Sequence, residues 1–442
     1  MKLPALAAAL SMLLAMPLQA APPLPVDGPG RFLGVDTCGN SQCHDSAEPW
    51  RNATVLMHER RIWQELDPHA RAYETLRGEP AQRIASRLGL GAATEAEPCL
   101  ACHSTRVPEA QRGPAFRAEM GIGCESCHGA GGNFLSTHVQ PTATHAGNLA
   151  AGMYPLSDPQ ARAALCASCH VGDARRTVTH AMFAAGHPRL RYEHDTFSGL
   201  LPAHARIDAD YRRRKPVASH AQTWAAGQLT AARNLVQRID EAHRDSRGLF
   251  PELSLFDCHA CHQPFGGTTL RRPELGLGLG SPMLADAPLA LLPALSRVMA
   301  PELLRDTQPL GRQLQQAVLR QQGVAESTRQ LTRRIDALSA SLAARAPRDS
   351  DGLCLASAVL ALPAQDSALP LSTAEAMAMS LSSLLLAEKE SGRLEAAPYR
   401  RIEQQLDGLY ALLRDEDRYV PAVFARRSAE LRNSLRSAAV CP

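Results

Sequence analysis

The sequence predicts a mainly α chain in two parts, and three observations predict it. Cys-x-x-Cys-His units recur between residues 31 and 270, Pro and Gly are scattered through that stretch, and the remainder carries apolar residues at helical spacing. The first part is expected to be short helices and long loops. The second is expected to be a helical bundle.

Residues 1–20 have one early charge, Lys2, then the apolar run Leu3 to Met16, then a small-residue end at Leu18-Gln-Ala20. This pattern predicts an export signal cleaved after Ala20 or Ala21, with an apolar run too short for a membrane span. Export to a bacterial periplasm and the absence of a transmembrane anchor are the resulting expectations.

Four strict units follow in the region 31–270: Cys99/Cys102/His103, Cys124/Cys127/His128, Cys166/Cys169/His170 and Cys258/Cys261/His262. A looser fifth, Cys38-Gly-Asn-Ser-Gln-Cys43-His44, has four residues between its thiols. In this spacing two thiols add across the vinyl groups of a haem while the adjacent imidazole reaches the iron. A structural zinc or a redox disulfide also uses Cys-x-x-Cys, but neither needs a histidine after the second cysteine every time. About five covalently bound haems c are therefore expected, with His44, His103, His128, His170 and His262 as proximal ligands. For Cys38 and Cys43 the alternative is a small disulfide loop.

Between the units, the apolar positions Trp224, Leu229, Ala232, Leu235 and Ile239 predict one longer helix from about Gln222 to His243. A Gly-rich linker is expected over 271–284, marked by Glu274 to Pro282. The bundle is expected over 285–442. There Leu331/Ile335/Leu338/Leu342, Met377/Leu381/Leu384 and Ile402/Leu406/Leu409/Leu413 step by three and four. Ser372-Thr-Ala-Glu375 reads as a capping box, Gly392 as a helix stop and Pro421 as a first-turn proline. Cys354 and Cys441 have no histidine beside them, and in an oxidising compartment a disulfide is the favoured reading over two separate thiols.

Aromatic residues make up only 4% of the chain, which is low for a core of this size. Five macrocycles would supply large apolar faces, each burying several hundred Å² at roughly 25 cal/mol per Å². The formal charge of +3 excludes them. With two propionates on each ferric haem and Lys2 removed, the balance falls to roughly −3, so the basic isoelectric point gives no support to nucleic-acid binding. Arg212-Arg213-Arg214-Lys215 is the one basic run, read as a solvated loop with docking of an acidic redox partner as the alternative.

Gly121-Ile-Gly-Cys124-Glu-Ser-Cys127-His128-Gly-Ala-Gly-Gly-Asn-Phe134 followed by His138 resembles the third haem segment of the tetrahaem cytochrome c-554 family. The Cys99 unit resembles the second, the Cys166 unit the fourth, and Trp63 with His69-Ala-Arg-Ala72 the segment after the first. The likeness covers roughly residues 34–195. It implies an electron carrier with closely stacked haems, and distal ligands at His138 and His69. It also implies a second haem, at His103, without a distal protein ligand. The wider first unit, the fifth unit and the added helical region depart from the family. Related multihaem families include hydroxylamine oxidoreductase, while the Cys-x-x-Cys-Lys unit of the pentahaem nitrite reductases is missing.

Eleven of the sixteen histidines remain after the proximal five. That surplus favours irons held between two imidazoles. Besides His138 and His69, His187 is expected as a distal ligand, because Gly186-His187-Pro188 forms a turn able to hold an imidazole rigidly. His58, His180, His204 and His220 compete for the rest. His259 is read as a bystander, and Met182 as packing with a minor claim to iron. The sequence thus points to electron transfer with periplasmic or membrane-bound redox proteins as partners. The alternative is an enzyme acting on hydroxylamine or a small nitrogen or sulfur oxyanion at one five-coordinate haem.

Overall fold

Five of the helices in the N-terminal part begin where the sequence supplies a side-chain cap. Thr144, Asp158, Thr179, Glu193 and Asp208 each accept a backbone N–H in the first turn of the helix that follows. The computed structural model describes residues 22–245, 252–262, 281–365, 369–435 and 441. The leader at 1–20 and most of the linker at 271–284 lie outside the described residues.

Among those residues the chain is mainly α, with no strand. Isolated bridges join Phe32 to Arg112, Val55 to Ala205 and Phe256 to Leu284. The N-terminal part is built as expected from short helices separated by loops. Its apolar clusters are small: Tyr73, Leu76, Ala85 and Ala93 form one, and Phe32, Val107 and Ala130 another. Side chains alone make little core here.

The longer helix runs His220–Asp245, a turn beyond the sequence-based bounds taken together, and buries all five of its predicted apolar positions. It packs on the helix Pro159–His170 on one side and on Val324–Ala344 on the other. Gly227 permits a third approach. A Cβ there would sit 2.3 Å from that of His194, so the helix His194–Leu200 crosses only because Gly227 has none.

One continuous apolar core then runs from Ala221 to Leu435. It includes the helices Ala287–Met299, Leu304–Arg320, Val324–Ala344, Gly352–Val359, Leu371–Glu390, Ala396–Leu413 and Pro421–Leu435. Leu331, Ile335, Leu338, Met377, Leu381, Leu384, Ile402 and Leu409 are each buried, as their spacing predicts. Gly392 has φ +74° just past Glu390 and stops that helix, and Pro421 opens the last. Cys354 and Cys441 are joined, with Cα atoms 5.4 Å apart.

The capping box is a correction. Pro370 holds the N-cap position, the helix starts at Leu371, and no side chain caps it. Ser372 instead donates its hydroxyl to Asp257, and Glu375 takes Arg189 at 3.3 Å and Arg191 at 2.9 Å. Both residues are drawn into contacts with the haem-motif region, which also engages Met283: Asp257 N–H donates to its carbonyl at 2.7 Å. Met283 and Leu284, expected in the linker, are buried against the Cys258 unit.

Candidate haem sites

Each strict unit lies on or at the end of a short helix: Glu97–His103, Cys124–His128, Pro159–His170 and Cys258–Cys261. One turn of helix brings the two thiols to the same side and leaves the histidine at its end. Around Cys124 the reason for the local sequence is visible. Glu125, between the thiols, is buried and accepts backbone N–H groups from Leu33 at 2.8 Å, Gly34 at 2.7 Å and Gly131 at 2.7 Å. Gly129 turns at φ +92°, where a Cβ would meet the Gly152 carbonyl at 2.9 Å. Trp63 is buried and donates to the Ile122 carbonyl at 2.9 Å, tying the His69 segment to this unit.

None of the ten motif cysteines is in a disulfide, and they gather in groups. Cys38 lies beside Cys124, and Cys102 beside Cys169. Burial, with Cys166 nearby, pushes the Cys127 thiol up to about 12. The His44 unit therefore abuts the His128 unit, the His103 unit abuts the His170 unit, and the two groups meet at Cys127 and Cys166.

Imidazoles from distant segments stand opposite the proximal ones. His44 and His138 have ring centroids 6.4 Å apart, 11° from parallel. His262 and His180 are also 6.4 Å apart, at 22°. His170 and His69 are 6.0 Å apart with rings nearly perpendicular, at 88°. Two imidazoles bonded to one metal from opposite sides, at about 2 Å per bond, place their centroids roughly 6 Å apart. The residues present thus fit a six-coordinate iron. Two further histidines stand near the remaining proximal rings: the charge of His187 helps hold His103 below its ordinary range after burial, and that of His204 does so for His128.

Six of these rings are anchored in the same way, with Nδ1 held by the protein. His138 Nδ1 meets the Leu135 carbonyl at 2.8 Å, His187 the Pro188 carbonyl at 2.8 Å, His204 the Pro202 carbonyl at 2.7 Å and His103 the Ala72 carbonyl at 3.0 Å. His44 and His69 instead hold carboxylates, Glu59 and Asp67, each at 2.9 Å. The hydrogen bond His44 donates to Glu59 raises its imidazole, and the one His69 donates to Asp67 raises His69. Such outer partners fix the ring and raise its basicity as a ligand. Burial, helped by the charges of His204 and His69, pushes His128 and His170 in the other direction, each to about 4.

Among the described residues the ring contacts do not set the other candidates against a proximal histidine, though two of them are anchored through Nδ1 in the same way. His220 pairs with Asp195 at 3.0 Å, and His58 Nδ1 holds the Ser46 carbonyl at 2.6 Å. His259 lies against the Tyr419 ring. Met182 is buried inside its short helix, and the ring opposite His262 is that of His180. His180 and His204, left among competitors by the sequence, carry a recognisable signal only in retrospect: each sits beside a cap or proline that fixes its backbone.

The paired imidazoles and grouped attachment thiols, set on a mainly α chain, define a c-type cytochrome with more than one haem. Residues 38–129 match the family model described as cytochrome c554 and c-prime, about a fifth of the chain, and this match supports a cytochrome c554-like multihaem protein. Haem c, covalently bound, is the cofactor that this family implies. No curated protein and no solved structure matches the chain. No helix among the described residues is long and apolar enough to cross a membrane.

Proposed function

We propose that the chain is a periplasmic electron carrier with five haems c, each iron held between two histidines. The pairs are His44 with His138, His103 with His187, His128 with His204, His170 with His69, and His262 with His180. Attachment is by Cys38/Cys43, Cys99/Cys102, Cys124/Cys127, Cys166/Cys169 and Cys258/Cys261. The observation that carries this reading is the common spacing of His44 with His138 and of His180 with His262, 6.4 Å in both.

Haem c supplies an iron that changes between ferrous and ferric states. The protein's part is to hold the rings through Nδ1, both in the His44/His138 and His103/His187 pairs and one in the His128/His204 and His170/His69 pairs, so that little rearrangement accompanies gain or loss of an electron. The grouping of attachment thiols supports an order in which the His44 and His128 units neighbour each other, the His128 and His170 units come next, and the His103 unit lies beside His170. His170 and Cys258 line one cavity of about 200 Å³, which supports placing the fifth unit beside the fourth. Every unit then has a neighbour, as a relay requires.

The rival reading needs an iron without a distal ligand, and the family resemblance would put it at His103. His187, anchored beyond Gly186 and close to His103, supports a filled position there. Intact mass of the exported protein tests the haem number. A gain of five haems over the processed chain is expected, and a gain of four would return Cys38 and Cys43 to a disulfide loop. Turnover of nitrite, hydroxylamine or tetrathionate by the purified protein would favour the enzyme.

A further inference from the structure

The segments 48–55 and 202–215 meet at the surface, the first following directly on the His44 unit and the second carrying His204. Val55 bridges to Ala205, Arg206 N–H donates to the Thr54 carbonyl at 3.1 Å, and the Arg206 guanidinium reaches the Arg51 carbonyl. Trp50 is 54% exposed there, with Ile207 at 47% and Val55 at 39%. An exposed tryptophan among exposed aliphatics is a common centre for a protein contact.

Its surroundings are basic. Across 48–55 and 204–215 stand Arg51, Arg206, Arg212, Arg213, Arg214 and Lys215 against Glu48, Asp208 and Asp210. Asp210 takes both Arg213 and Arg214, and it shares Thr54 with Asp208. Arg51, Arg206 and Arg212 have no carboxylate partner among the described residues. His204, the ring proposed opposite His128, lies two residues from Arg206, and the Trp50 segment is tied back to the His44 unit, with Ser46 N–H donating to the Met57 carbonyl at 2.6 Å and Trp50 N–H to the Leu56 carbonyl at 2.9 Å. A partner seated on Trp50 would stand beside the segments that carry His44 and His204.

We propose that this patch, with Trp50 at its centre and Arg51, Arg206 and Arg212 to Lys215 around it, is the docking surface for an acidic electron-transfer protein exchanging electrons through the His44 and His128 units. The proposal rests on the relay reading above. Charge complementarity argues for the occupant: unpaired guanidiniums beside an apolar centre steer an acidic surface and repel a basic one. Small, transient contacts are the usual form of redox encounters.

The test uses the full haem-loaded chain and a reduced flavodoxin, an acidic donor, followed by stopped flow. The second-order reduction rate should fall steeply as salt rises. Arg51→Glu with Arg212→Glu should lower it at least about ten-fold at low salt and converge with wild type at high salt. Trp50→Ala should lower it at all salt concentrations, while Arg329→Glu with Arg333→Glu, on the bundle, should leave it unchanged. Equal slowing by the bundle pair, or no slowing by the patch variants, would overturn the docking site. Dithionite reduction of the same samples separates the two readings: loss of the haem spectrum, or failure of dithionite to reduce the haems, counts against the relay, whereas intact reduction with an unaltered flavodoxin rate counts against the patch alone.

Discussion

The imidazoles of His44 and His138 face each other at 6.4 Å and 11° from parallel, although they come from the first attachment unit and from the helix after the third. Only a long-range fold makes that pair. His138 hangs at the end of Gly131–His138, and the start of that helix is pinned by Glu125 from within the Cys124 unit. The third unit therefore positions His138 opposite His44 of the first.

Replacing His138 with Ala should convert one low-spin haem to high spin and leave the haem count unchanged. The altered haem should be that of Cys38 and Cys43, which resonance Raman or paramagnetic NMR can resolve. An unaltered spectrum would place that ligand elsewhere.

Glu59 gives a second prediction. Its Oε2 holds His44 Nδ1 at 2.9 Å while Oε1 accepts from the Leu56 and Met57 N–H groups. A carboxylate on the ligand's outer nitrogen favours the ferric state, so Glu59→Gln should raise the potential of that haem, on the order of 50 mV for a change of about 1 kcal/mol. Asp67→Asn should act likewise at the His69 and His170 haem. Spectroelectrochemical titration checks both, and unchanged potentials would contradict the role.

What the sequence made legible follows from the range of each signal. Attachment thiols and proximal histidines are adjacent in the chain, so a motif names all fifteen. Distal partners are not adjacent, and no local spacing says that His180 faces His262 or His69 faces His170. The bundle repeats, such as Leu331 to Leu342, were readable because burial there follows helical period. The Ser372 and Glu375 pair misled because the same residues that cap a helix also serve as cross-chain partners, here for Asp257, Arg189 and Arg191.

The His220 and Asp195 pair makes stability depend on pH. The hydrogen bond to Asp195 raises the His220 imidazole above its unfolded value of roughly 6.5. Its contribution is then fully present below that value and is lost as pH rises through the raised one. Because the His220 side chain is 46% exposed, the effect should stay within about 1 kcal/mol. Thermal melts from pH 6 to 8 should show a decline in Tm that is shallower in His220→Gln. Identical slopes would remove the pair from the account.

Cys354→Ser should destabilise the bundle without touching the haems. The bridge spans 87 residues, and constraining an unfolded loop of that length is worth about 4–5 kcal/mol. Chemical denaturation followed by far-UV circular dichroism should show the loss, while the haem spectrum of the folded variant stays unchanged. A haem spectrum altered under native conditions would show that the bridge also supports the sites.

Electron paramagnetic resonance of the fully oxidised, haem-loaded chain, integrated against protein concentration, tests the central claim most directly. Five low-spin ferric haems per chain and no high-spin signal are predicted, because each proximal histidine has an imidazole assigned opposite it. One equivalent of high-spin haem, assigned to Cys99 and Cys102, would contradict the account and restore an open iron at His103.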